Sequence, residues 1–187
     1  MCIRDRNWAN IATVSRVLLI PVVIYCYHLD TQFSHLLAAI LFTVASLTDW
    51  LDGYLARKLD QSSEFGAFLD PVADKLLVAV MMIMLVSVYP PLLLAAGLII
   101  AREMLVSALR EWMATKGMRD KVAVAFSGKL KTTVQMLSII ILLLANPNLP
   151  EWVLMLGYGL IYLAAVLSIS SMAQYFRAAW GELQSKS

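Results

Sequence analysis

Six apolar runs follow one another along this chain, at about Trp8 to Tyr27, Phe33 to Thr48, Leu76 to Tyr89, Pro91 to Leu109, Thr132 to Ala145 and Trp152 to Phe176, with only short polar stretches between them. With 60% hydrophobic residues in 187 and a mean hydropathy of +0.74, the chain is too apolar for an ordinary soluble domain of its size. The pattern predicts an all-α integral membrane protein with six transmembrane helices. Several runs fall short of the roughly 20 residues that a span requires, so their helices must extend into the polar sequence beside them.

Basic residues give the orientation. The connections near Leu29 to Ser34, Tyr89 to Pro91 and Asn146 to Glu151 carry no Lys or Arg. The alternate connections and the termini hold Arg4, Arg6, Arg57, Lys58, Lys75, Arg110, Lys116, Arg119, Lys121, Lys129, Lys131, Arg177 and Lys186. This asymmetry predicts a multi-pass protein of the cell inner membrane with both termini cytoplasmic. The net charge is only +2, but its basic residues gather on the face where anionic lipid head groups or phosphate substrates lie, which disfavours nucleic acid as a partner. Cys2 and Cys26 do not form a disulfide framework, and Cys26, inside the first run, reads as packing. That run has no small-residue cleavage site after it and is expected to remain as helix one. Residues 1–187 read as one domain, in which the prefix Met-Cys-Ile-Arg-Asp-Arg is given no function.

Against this apolar background four aspartates stand close together. The sequence Asp49-Trp-Leu-Asp52-Gly53-Tyr-Leu-Ala56-Arg57 is followed by Gly66-Ala-Phe-Leu-Asp70-Pro-Val-Ala-Asp74. Dehydrated carboxylates are costly, so such a cluster implies a cation, a water-filled cavity or both. No helix breaker appears before Gly53, so helix two is expected to continue to about Leu59, with Asp49, Asp52 and Ala56 on one face at i, i+3 and i+7. Helix three is expected to begin near Asp70, as N-cap, with Pro71 in its first turn and Asp74 one turn on. Two carboxylate pairs brought together by antiparallel helices make an oxygen-rich site suited to Mg2+ or Mn2+ rather than zinc, which would call for Cys or His. His28 and His35 fall at the other membrane face. A transporter whose acids bind its ion is the rival reading of this pattern. A solvated charge patch is not, because Trp50, Leu51, Leu55, Phe68 and Leu69 interleave with the acids.

Asp49, Asp52, Gly53, Ala56, Arg57, Gly66, Asp70 and Asp74 match the D-x2-D-G-x2-A-R-x8-G-x3-D-x3-D signature, and the chain thereby resembles the CDP-alcohol phosphotransferases, membrane enzymes of phospholipid synthesis. The segments Ala101-Arg102-Glu103, Ser107 to Trp112 and Gly128 to Met136 are similar to a branch whose acceptor is glycerol 3-phosphate. The chain departs from the family at Ala9, where a Pro usually precedes the asparagine. The resemblance implies that Asp49, Asp52 and Asp70 bind a pair of divalent metals, and that Asp74 touches the second and acts as general base. It also implies that Gly53, Ala56 and Gly66 admit the cytidine of CDP-diacylglycerol, with Arg57, Ser63, Asn10 and Thr13 as further contacts, and it suggests a homodimer. The plain alternative for the small residues is helix packing. The acceptor phosphate needs cations of its own, and Arg102, Arg110, Lys129 and Lys131 are the candidates; the alternative is anchoring to lipid head groups. The implied activity is phosphatidyl transfer from CDP-diacylglycerol to glycerol 3-phosphate in a cavity on the cytoplasmic side. An inositol phosphate, a second phosphatidylglycerol or serine are rival acceptors, because the signature reads only the CDP-lipid half.

Overall fold

The computed structural model describes residues 6–29, 31, 33–59, 64–116, 126–146 and 148–184, with the side chains of 6–14, 49–71, 126–129, 178 and 181–184 outside the description. Six α-helices make up the described residues: α1 Arg6–Tyr27, α2 Ser34–Leu59, α3 Glu64–Val88, α4 Leu93–Thr115, α5 Phe126–Leu144 and α6 Glu151–Gln184, with a 3-10 turn at Pro90–Leu92 leading into α4. No strand occurs among them.

Each helix outruns its apolar segment, as the short runs require. The second run ends before Asp49, yet α2 continues to Leu59. At 34 residues α6 is about 51 Å long, against the roughly 30 Å of a hydrocarbon core. Pro90–Thr115 and Glu151–Arg177 are long and apolar enough to cross a membrane, and Ser15–Tyr27, Ser34–Thr48 and Leu130–Leu144 are shorter apolar helices. The outside of the bundle agrees with lipid surroundings, since Leu18, Leu93, Leu94, Met104, Met155 and Val166 are each more than 60% exposed.

One expectation is corrected. α3 begins at Glu64, not at Asp70, so Asp70 is no N-cap and Pro71 stands inside the helix. A proline there loses its own bond to the carbonyl four residues back and crowds that carbonyl with its ring, a cost that a helix packed among others tolerates. Gly66, Asp70 and Asp74 consequently occupy successive turns of one helix, at i, i+4 and i+8.

α1 packs against both α2 and α3, α2 and α3 also meet α5, and α6 lies against α4 and α5. The main core, with Val23, Phe42, Met81, Met82, Leu85, Ile99, Leu142 and Ile161 fully buried, draws on all six helices. Cys26 is a buried free thiol within α1, in keeping with a packing role. A smaller cluster of Val106, Met113, Tyr175 and Ala179 joins the later halves of α4 and α6.

The α5–α6 contact is the most extensive. Ser138 Oγ donates to the Gly157 carbonyl at 2.9 Å, and a Cβ placed on Gly157 would stand 2.7 Å from Leu142 Cδ2. Leu142 is fully buried and has little room to retreat. Gly157→Ala should therefore lower the thermal midpoint of the detergent-purified protein by several degrees, on the order of 1–3 kcal/mol. Adding Leu142→Ala should make the double variant less unstable than the sum of the two singles. Gly97→Ala, where nothing lies within 4 Å of the new Cβ, should leave the midpoint unmoved.

Candidate active site

All four signature aspartates map to one end of the bundle, where α2 finishes and α3 begins. Asp49, Asp52, Gly53, Ala56 and Arg57 lie on the last turns of α2, and Gly66, Asp70 and Asp74 on the first turns of α3. The side chains of Asn10, Thr13, Asp49, Asp52, Arg57, Asp70 and Lys129, with Gly53, Ala56 and Gly66, fall outside what is described, and Ser63 falls outside it altogether. Asp74 is the signature acid whose surroundings are seen.

Arg16 Nη1 donates to Asp74 Oδ1 at 2.7 Å, closing α1 onto α3 across 58 residues of sequence. The arginine side chain is 3% exposed, whereas the carboxylate keeps 40% of its surface. One partner is thus locked in the bundle while the other stays reachable from outside, a combination that fixes the carboxylate's aim without burying it. The signal for Arg16 was present in the sequence as a lone cation inside the first apolar run.

The neighbouring Lys75 donates Nζ to Ser107 Oγ and ties α3 to α4. One turn back on α4, Glu103 Oε1 accepts from Lys131 Nζ and lies 3.4 Å from Arg102 Nη1. Arg102 Nη2 donates to Ser171 Oγ on α6 at 2.6 Å, and the guanidinium carbon sits 5.8 Å from the centre of the Tyr175 ring. Lys131 is 1% exposed and Arg102 7%. Among the described side chains two buried cations thus share one carboxylate, an excess of positive charge between α4, α5 and α6. Removing the anion from such a group would strand both cations, typically at a cost of about 3–5 kcal/mol.

The structure therefore brings Arg102 and Lys131 together and keeps Arg110 apart. Eight residues rotate Arg110 about 80° from Arg102 and carry it about 12 Å along α4, where it is exposed. Glu103, the sequence neighbour of Arg102, and Ser171, which nothing in the sequence marked as a partner, complete the group; an acid inside an apolar run is itself the sign of a hidden cation.

The donor chemistry suits a hard divalent ion. The carboxylates share their end of the bundle with no described Cys or His, since Cys26, His28 and His35 lie at the last turn of α1 and the first of α2. Among the described side chains no three His, Cys, Asp or Glu converge, Asp74 being the only signature acid whose side chain is described.

A family model described as CDP-alcohol phosphatidyltransferase matches residues 6–170. The CDP-diacylglycerol--glycerol-3-phosphate 3-phosphatidyltransferase of Pseudomonas fluorescens is 50% identical over 181 residues, covering 95% of this chain and 92% of the relative. The proteins of the same name from Shigella flexneri serotype 5b and Salmonella choleraesuis strain SC-B67 are 48% and 46% identical over 179 residues, 95% of this chain and 97% of each relative. A match of this extent, on a helical bundle that carries the signature acids at one end, makes the chain a member of the CDP-alcohol phosphatidyltransferase family.

Proposed function

We propose that this protein transfers the phosphatidyl group of CDP-diacylglycerol to sn-glycerol 3-phosphate, forming phosphatidylglycerophosphate and CMP. The observation that carries this reading is the reachable Asp74 carboxylate, aimed by buried Arg16, at the same end of the bundle as the cationic Arg102–Glu103–Lys131 group. Likeness over nearly the whole chain to relatives named for this acceptor supports its choice over other alcohols.

In this reading Asp74 accepts the proton of the primary hydroxyl of glycerol 3-phosphate. The freed oxygen attacks the lipid-side phosphorus, the bond from that phosphorus to the CMP oxygen breaks, and CMP leaves with the electron pair. No covalent enzyme intermediate forms, so the configuration at phosphorus inverts. Arg16 acts through Asp74 as a positioning residue. Arg110 and Lys129 meet the acceptor phosphate, and Arg102 with Lys131, anchored on Glu103, supply the fixed positive field behind them. Asp49, Asp52, Asp70 and Asp74 would hold a pair of Mg2+ or Mn2+ ions, whose chemistry when bound is neutralisation of the diphosphate and of the departing CMP. Gly53, Ala56 and Gly66 leave room for the cytidine, with Asn10, Thr13, Arg57 and Ser63 as its further partners. The site opens to the cytoplasm for the soluble substrates and sideways to the bilayer for the lipid. The bundle works as a homodimer in the inner membrane with both termini cytoplasmic.

CMP release by the detergent-purified protein, given CDP-diacylglycerol and Mg2+, should depend on glycerol 3-phosphate and not on inositol phosphate, phosphatidylglycerol or serine. Dependence on another alcohol would move the acceptor, and no release with any of them would return the chain to the ion-transport reading. Asp74→Asn should abolish turnover, by about 10²-fold or more, while Mn2+ binding followed by electron paramagnetic resonance stays largely intact. Arg110→Ala should raise the KM for glycerol 3-phosphate about tenfold and leave that for CDP-diacylglycerol unchanged, the scale of one charge-assisted hydrogen bond.

A further inference from the structure

At the end of the bundle remote from Asp74 a cavity of about 420 Å3 lies among the last turn of α1, the start of α2, the end of α3 and the α5–α6 connection. Its polar lining comes from Tyr27, His35, Tyr89, Asn146 and Glu151. Nothing in the proposed transfer uses it.

The hydrogen-bonding capacity of this lining is lopsided. Tyr27 is 6% exposed, and its hydroxyl has the Tyr89 side chain as its polar neighbour without reaching it in full hydrogen-bond geometry. Tyr89 commits its proton to the Ala145 carbonyl at 3.1 Å, so its oxygen faces its surroundings as an acceptor. His35 Nδ1 lies 3.2 Å from the Leu143 carbonyl; a carbonyl can only accept, so Nδ1 carries the proton and, in the neutral ring, Nε2 is left as an acceptor. Asn146 spends one N–H on Leu144 O at 3.2 Å and one lone pair of Oδ1 on Asn148 N at 2.9 Å, and keeps one N–H and one lone pair. Glu151 adds a carboxylate, and no Lys or Arg is among the lining residues or in the connections at this end.

The walls are aromatic. The Tyr27 and His35 rings meet edge to face at 4.6 Å, and Tyr89 packs against Tyr158 at 6.2 Å. Acceptors, a carboxylate and ring faces without any cation repel phosphate and attract a positively charged N–H donor. At the same end of the bundle Trp152, beside Glu151 in sequence, is 65% exposed, a residue type that marks head-group depth in a bilayer.

We propose that this cavity binds a primary ammonium group, as carried by an aminophospholipid head group in the leaflet opposite the active site. Three N–H donors on a compact cation match an acceptor set of the Tyr27 and Tyr89 oxygens, His35 Nε2 and Glu151. A quaternary ammonium, lacking N–H, satisfies the ring faces and the charge but donates nothing to these acceptors. The inference stands apart from the transferase reading, and each can fail alone.

Native mass spectrometry of the full chain tests it, with phosphatidylethanolamine and phosphatidylcholine of identical acyl chains offered at equal concentration. The wild-type protein should retain the primary-amine lipid about tenfold over its quaternary counterpart, the scale of one charge-assisted hydrogen bond. Tyr27→Phe and Glu151→Gln should each bring the ratio near unity while CMP release, which involves neither residue, is unchanged. Glu151 is exposed, so its variant reports on binding even if Tyr27→Phe perturbs packing. Competition by millimolar free ethanolamine would keep the ammonium chemistry and assign it to a soluble amine; its failure to compete would assign it to the lipid. Equal retention of the two lipids by the wild type, or a preference that survives both substitutions, would overturn the proposal.

Discussion

An ion inside an apolar bundle must find its opposite within the bundle, because no solvent is there to screen it. This requirement organises the end of the protein where the signature acids lie. Arg16 is matched to Asp74, Lys131 and Arg102 to Glu103, and Lys75 to the hydroxyl of Ser107. Each of these contacts joins two helices except that of Arg102 with its neighbour Glu103, and Arg102 reaches α6 through Ser171 instead. Together they stitch α1 to α3, α3 to α4, α4 to α5 and α4 to α6. The belt divides the apolar interior: Ile99 and Ala165 belong to the large core on one side, Val106 and Tyr175 to the small cluster on the other.

Such a belt does more than hold helices. An arginine shut inside the bundle cannot wander, so the carboxylate it grips has a defined direction even though its own surface is partly open. The surplus of positive charge around Glu103 likewise costs no reorganisation when an anion approaches, in contrast to flexible lysines on a loop. The chemistry proposed for this end needs both properties, a carboxylate whose position is set in advance and a field that favours phosphate. Hydrophobic packing alone provides neither.

The helices were legible in the sequence because apolar runs of this density leave few alternatives, and the extension of α2 to Leu59 followed from the absence of any breaker. The start of α3 was misplaced for a physical reason. Asp70-Pro71 carries the local chemistry of a helix start, and only packing among other helices lets a proline sit within a continuing one. At the site, the signature spacing marked Asp74 but not its partner, since Arg16 lies 58 residues earlier and nothing local to either residue links them. Glu103 shows the same limit. Its neighbour in sequence, Arg102, was visible, but its fully buried partner Lys131 is on another helix. The cavity at the far end was invisible in the sequence because its liners, from Tyr27 to Glu151, come together only through the fold.

The Arg16–Asp74 pair also has a bearing on how the protein is made. A ribosome delivers α1 to the membrane well before α3 exists, so the first helix enters with an unmatched guanidinium, a burden of about 2.5–3.5 kcal/mol at a helix centre on insertion scales. Asp74, which grips the guanidinium in the finished bundle, emerges 58 residues later. Until then the first helix has reason to linger at the insertion machinery or at the membrane surface. The acid that completes the signature is also one that the first helix meets across the bundle, so assembly of the bundle is tied to assembly of the end that carries the signature acids.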